Sequence, residues 1–237
     1  MNISPRRLAQ ILCVCLCTLS ATAGAVIVEV MGDTVIFRWD TDGIDPKYGT
    51  PTVVGDSIFV TPTAFVAQSN NTDGSVISTG TGTIQIIAQA GYDLAGINFG
   101  ETGDYRMTGG SASVDVDPYL RVFDWFDPVP VIGTEETLTV PVTGDLTISD
   151  GNLHDWSATG SFDLTTATWD SVNNVGLTLQ NTLNATSLIL GESALIQKKA
   201  IGSSIDVVTT VVPVPAALWL FGSGLLGLVG MARRKKT

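Results

Sequence analysis

Between residues 26 and 210 apolar and polar positions alternate in short runs, and Gly, Asp, Asn and Thr interrupt them at close intervals. A period of two over roughly four to eight residues is the pattern of a strand with one buried face. Val and Thr fill the runs as strand formers, and Gly and Asn fill the breaks as turn residues. The runs that read as strands are 26–30, 34–39, 57–60, 63–67, 83–90, 96–99, 112–116, 120–123, 136–142, 146–149, 155–160, 175–181, 187–190, 194–198 and 204–209. No stretch in this part of the sequence keeps a 3.6-residue apolar period for three turns. Residues 190–200 come nearest to a helix and read as a strand pair. The expectation is an all-β ectodomain over residues 26–210, a β-sandwich of jelly-roll-like kind. Residues 127–133 (DPVPVIG) are the one candidate linker, and a single domain is the favoured reading.

The two ends depart from this pattern. Near the N-terminus Arg6 and Arg7 precede a short apolar core, Ile11 to Leu19, and small-x-small triplets follow at Ala21 to Ala23 and Ala23 to Ala25. This is the layout of a secretory signal peptide, residues 1–25, with Ala23 and Ala25 as the small residues before a preferred cleavage point after Ala25. A nine-residue core is too short to span a bilayer. The residues before Cys13, Cys15 and Cys17 are not the small ones that lipid attachment requires.

At the other end, Ala216 to Ala232 is a run of seventeen residues without a charge. As a helix it spans roughly 26 Å, slightly less than the roughly 30 Å hydrocarbon core. Thinning of the bilayer or snorkelling of basic side chains absorbs such a mismatch. Pro213 and Pro215 break any helix entering from the body. Arg233, Arg234, Lys235 and Lys236 follow and hold the end on the cytoplasmic side. A buried core helix does not end in four basic residues and has a polar face. The expectation is therefore a transmembrane helix at 216–232 with a basic tail at 233–236, in a sorting segment covering 211–237.

VPVPAALWLFGSGLLGLVGMARRKK resembles the PEP-CTERM sorting signal of Gram-negative bacteria: a Pro-rich motif, a Gly-containing apolar helix and a basic cluster. Val214 stands where the name-giving Pro-Glu-Pro has its Glu, which makes this a Val-Pro-x-Pro variant. The resemblance implies recognition by an exosortase, cleavage near Pro213, Val214 and Pro215, and delivery to the cell surface or the exopolysaccharide matrix. It also implies passage through the secretion machinery and a transient stay in the inner membrane. Two internal stretches, GYDLAGINFGETGDYRM (91–107) and ALIQKK (194–199), are similar to stretches of β-rich ectodomains that carry such tails. That likeness implies the fold class and no activity.

Charge narrows the partners. Setting aside the basic residues at the two ends, six Lys and Arg face all 23 Asp and Glu, a balance of −17. Such a surface repels nucleic acid and anionic lipid and suits solubility or loose cation binding. With all three cysteines before residue 18, the body beyond the signal has no thiol for a disulfide, a nucleophile or a thiolate metal site.

Candidate chemistry in the body is sparse. His154 is the one histidine, so any Ser-His-Asp triad must use it, and no G-x-S-x-G marks a nucleophile. Beside Asp155 and Trp156 it reads as a surface residue in a polar turn. Asp40, Asp42 and Asp45 around Gly43 have a spacing that converges oxygen ligands on calcium, although Asp also favours turns in its own right. Asp115, Asp117, Asp124 and Asp127 form a second acidic group; no cofactor or dedicated metal site is expected, and such clusters suit at most a loose hold on calcium. Trp39, Trp125, Trp156 and Trp169 suit either sugar stacking or core packing. No spacing singles out a carboxylate pair for glycoside hydrolysis. Asn70 and Asn184 begin Asn-x-Thr triplets, a weak glycosylation signal. The expected role is a non-enzymatic, structural or adhesive one within exopolysaccharide or biofilm. The alternatives are a secreted carbohydrate-active enzyme and a permanently anchored periplasmic binding module.

Overall fold

A computed structural model describes residues 25–127, 134–199, 203–213 and 221. The strands are β1 (Ile27–Met31), β2 (Val35–Asp40), β3 (Thr52–Val54), β4 (Ser57–Val60), β5 (Val66–Asn70), β6 (Gly74–Ala88) and β7 (Tyr92–Thr108). They continue as β8 (Ser113–Asp124), β9 (Glu135–Thr139), β10 (Val142–Thr143), β11 (His154–Asp163), β12 (Asn174–Ser187), β13 (Ser193–Lys198) and β14 (Ser203–Val211). All pairings are antiparallel, and the strands form a sandwich. One sheet of six strands runs β1-β2-β6-β12-β8-β9. The other, of eight, runs β10-β11-β7-β14-β4-β3, with β13 against β7 and β5 against β13. The all-β sandwich expected from the alternation is the fold observed.

The inward phase of each long strand supplies the core. Leu177, Leu179 and Leu183 on β12 and Leu120 and Val122 on β8 face Ile97, Phe99, Tyr105 and Ile196 of the opposite sheet, all buried. β12 pairs with β6 over fourteen residue pairs, from Asn174↔Ile87 to Ser187↔Gly74. On the outer face of that ladder Thr83 and Thr178 hydroxyls meet at 3.0 Å, a cross-strand pair suited to the wet side. The sheets are tied at one end by Asp56, in the β3–β4 turn. Its Oδ1 accepts from the N–H groups of Thr34 (2.8 Å) and Val35 (3.2 Å), and its Oδ2 accepts from Thr34 Oγ1 at 2.5 Å.

Several expected boundaries are corrected. Residues 112–116 and 120–123 are one strand, β8, that runs through Pro118. The Pro118 carbonyl accepts from Val140 N–H, so the ring nitrogen faces that same edge and the ladder to β12 loses nothing. The run at 136–142 divides between β9 and β10 in different sheets, because Pro141 interrupts it. Residues 146–149 form no strand, since Asp145 Oδ1 accepts from Thr147 N–H at 3.0 Å and closes a turn. Leu188, Ile189 and Leu190 are exposed in the β12–β13 connection, so 187–190 is not a strand and 190–200 holds one strand instead of two. The strand expected at 63–67 lies at Val66–Asn70, and β6 and β7 greatly exceed 83–90 and 96–99. Of the candidate linker, residues 128–133 lie outside the described residues. The strands flanking it, β8 and β9, pair with each other from Tyr119↔Thr139 to Phe123↔Glu135.

Candidate functional site

The last body hydrogen bonds before the sorting segment are those of β14. Val211 pairs with Tyr92, and Val212 N–H donates to Gly91 O at 2.9 Å. Pro213 comes next and is exposed. The expected processing point thus begins where the sheet lets go of the chain. Val214, Pro215, Arg233, Arg234, Lys235 and Lys236 lie outside the described residues, as does the 216–232 span apart from Phe221. Among the described residues no helix is long and apolar enough to cross a membrane. At the other end Ala25 is exposed ahead of β1, and Ala23 lies outside the described residues.

The residues considered for body chemistry are separated and mostly occupied. Asp40 Oδ1 accepts from Asp42 N–H at 2.9 Å. Asp45 Oδ1 accepts from Lys47 N–H at 2.9 Å, and its Oδ2 accepts from Lys47 Nζ at 3.3 Å. These carboxylates serve the turn after β2, and among the described residues no group of three metal-ligating side chains converges. Asp115 and Asp117 sit on the outer phase of β8, and Asp124 Oδ1 accepts from Phe126 N–H at 3.0 Å. Trp39, Trp156 and Trp169 are core residues, while Trp125 is 37% exposed and stacks on Phe123 at 6.1 Å.

His154 opens β11 instead of lying in a turn. Its Nε2 is 2.8 Å from Asp150 Oδ1, and its ring is 5.5 Å from that of Tyr105. The hydrogen bond with His154, followed by those from Asn152, holds the Asp150 carboxyl far below the usual carboxylate range.

The constellation that the sequence reading missed lies at the centre of the sandwich. Glu101 on β7, Asn181 on β12 and Lys198 at the end of β13 point into the core. Lys198 Nζ contacts Glu101 Oε2, and both side chains are completely buried. Asn181 Nδ2 donates to Glu101 Oε1 at 2.6 Å and Oε2 at 2.8 Å. Asn181 Oδ1 is buried and has no hydrogen-bond partner. The ammonium also lies over two rings, 5.0 Å from the centroid of Tyr48 and 5.4 Å from that of Phe65. These rings meet edge to face at 5.2 Å, and the Tyr48 hydroxyl donates to Gly80 O at 3.1 Å. Gly80 makes room for them: a Cβ there would come within 3.1 Å of Phe65 and 3.2 Å of Tyr48.

Burial dominates the electrostatics of this centre. It pushes the Lys198 ammonium toward its neutral form, and the Glu101 charge and hydrogen bond oppose the shift. It also pushes the Tyr48 phenol well above its usual range, with Glu101 and Asp45 adding to the effect. The signal for the centre was present in the alternation. Val175, Leu177, Leu179, Asn181 and Leu183 share one phase of β12, and Ala194, Ile196 and Lys198 share one phase of β13. A polar residue in the apolar phase of a strand marks a buried polar group that needs a partner.

No curated protein matches the chain. A family model described as the PEP-CTERM protein-sorting motif matches residues 211–235, from the last residue of β14 through the third residue of the basic tail. The chain thus carries a PEP-CTERM protein-sorting motif at its C-terminus, which implies an exported, cell-surface-associated protein processed by an exosortase.

Proposed function

We propose that this is a structural or adhesive protein of the cell surface or extracellular matrix, working within exopolysaccharide or biofilm without catalysing a reaction on a substrate. The signal peptide, residues 1–25, directs export. The span at 216–232 then holds the acidic body outside the inner membrane, with the basic tail in the cytoplasm. An exosortase cut near Pro213 to Pro215 releases the body, residues 26–210. The observation that carries this reading is the sorting motif beginning at the last residue of β14, which leaves the whole sandwich on one side of the cut. The engaged state of the body's carboxylates in turns and of His154 with Asp150 supports a non-catalytic role. The acidic surface suits a hydrated matrix in which cations bridge loosely held carboxylates.

Isothermal titration of the processed protein with matrix polysaccharide, run beside an assay for reducing-sugar release, tests the role. Binding without release is expected. Release that one carboxylate substitution abolishes points to a carbohydrate-active enzyme and overturns the reading.

A further inference from the structure

A lysine amine, a primary carboxamide and a carboxylate pressed together away from water are the parts of a transamidation. The geometry points to an intramolecular isopeptide bond between Lys198 Nζ and Asn181 Cγ, formed by the folded protein itself with Glu101 as its general acid and base. Nζ and Nδ2 both contact Glu101 Oε2, so the two nitrogens lie within about two hydrogen-bond lengths of each other. Lys198 and Asn181 stand on strands of opposite sheets, so the bond closes the sandwich across its core.

The steps follow from the contacts. An amine attacks only when neutral. Transfer of one proton from Lys198 Nζ to the carboxylate it touches removes two buried charges and frees the lone pair. The oxygen and nitrogen of the Asn181 amide have nearly the same shape. A half-turn of the amide therefore brings Oδ1, unpartnered where it now lies, against the protonated Glu101. That acid polarises Cγ and supports the negative charge on Oδ1 in the tetrahedral adduct. Once Cγ is tetrahedral, turning back about Cβ–Cγ returns Nδ2 to the Glu101 contact it makes in the structure, and Glu101 relays a second proton from Nζ to Nδ2. The Nζ–Cγ bond has formed, the Cγ–Nδ2 bond breaks, and ammonia leaves. Glu101 keeps the proton that Lys198 brought as an ammonium, and its O–H hydrogen-bonds the new amide carbonyl. No oxidant, reductant or cofactor is needed. The product replaces a buried ion pair and an orphaned acceptor with a satisfied amide. Tyr48 and Phe65 screen the centre from the water that would compete as a nucleophile. In a body whose sequence offers no cysteine for a disulfide, the bond is a staple that reductants do not open.

Peptide mass spectrometry of the exported protein decides the matter. Trypsin releases residues 122–199, since Arg121 and Lys199 bound that stretch and the linked Lys198 resists cleavage. The expected peptide is about 17 Da below its sequence mass, the loss of one ammonia. Further cleavage after glutamate cuts at Glu136 and Glu192, and fragments 137–192 and 193–199 are expected to remain joined. Separate fragments at their sequence masses overturn the proposal. So does the same mass loss on fragment 137–192 alone, which is a succinimide at Asn181. In Glu101→Gln, with the fold checked by circular dichroism, the fragments are expected to separate, and full linkage in that variant overturns the role of Glu101. The unsubstituted protein gives a decisive reading even if that variant does not fold.

Discussion

Replacing Lys198 with Met leaves Glu101 without its cation at a position where both side chains are fully buried. Removing one partner of such a pair costs about 3–5 kcal/mol, because the remaining charge is desolvated and uncompensated. Asn181 goes on donating to both Glu101 oxygens, which places the cost near the lower end, about 3 kcal/mol. Pairing the change with Glu101→Gln removes the orphaned charge, and the Gln amide still accepts from Asn181. Neither K198M nor E101Q/K198M can form an isopeptide bond, so the difference between them reads electrostatics alone. The double variant is expected to be more stable than K198M by about 3 kcal/mol. With a urea slope of about 2 kcal/mol per molar for a body of this size, its midpoint lies about 1.5 M higher. Tryptophan emission reports the transition, since Trp39, Trp156 and Trp169 are core residues. Equal midpoints, or a lower one for the double variant, would refute the reasoning that a desolvated charge dominates this centre.

Three further outcomes follow from the packing and the charges. A Cβ at Gly103 would lie 2.2 Å from Trp156 Cε2 and 2.3 Å from Gln197 O, so Gly103→Ala is expected to lower stability by about 1–3 kcal/mol in thermal unfolding. Asp56→Ala strips the acceptor from Thr34 and Val35 and should cost about 1–3 kcal/mol, whereas Asp170→Ala, an exposed residue, serves as the neutral control. Asp145 and Asp163 are held low by Thr147 and Thr165, Asp150 by His154, and Glu192 by Ser111. Their folded values lie below the unfolded ones, so their stabilisation is fully present above the ordinary carboxylate range near pH 4 and is lost as pH falls through the folded values. The urea midpoint should therefore fall between about pH 5 and about pH 2, and a flat profile there contradicts these hydrogen bonds.

The alternation of apolar positions carried the fold class and several strands, among them Ser57–Val60 with the same bounds. It carried the longest elements poorly. Residues 74–82 (GSVISTGTG), dominated by Ser, Thr and Gly, lie outside the expected strands, yet they form more than half of β6, held by a full ladder with β12. Tertiary pairing overrides weak local preference here. The sorting segment was legible because charge, proline and apolar length are local features. The core polar centre was legible only in part. Asn181 and Lys198 end expected strands in the apolar phase, but Glu101 lies two residues past the strand expected at 96–99. That these residues meet depends on β7, β12 and β13 packing across two sheets, and no local pattern encodes such a pairing.

The most direct test of the export account is mass spectrometry of the C-terminus of the surface-exposed protein. The account predicts a chain ending near Pro213 to Pro215, without the apolar span and without Arg233 to Lys236. Surface-exposed protein that retains the intact basic tail contradicts it.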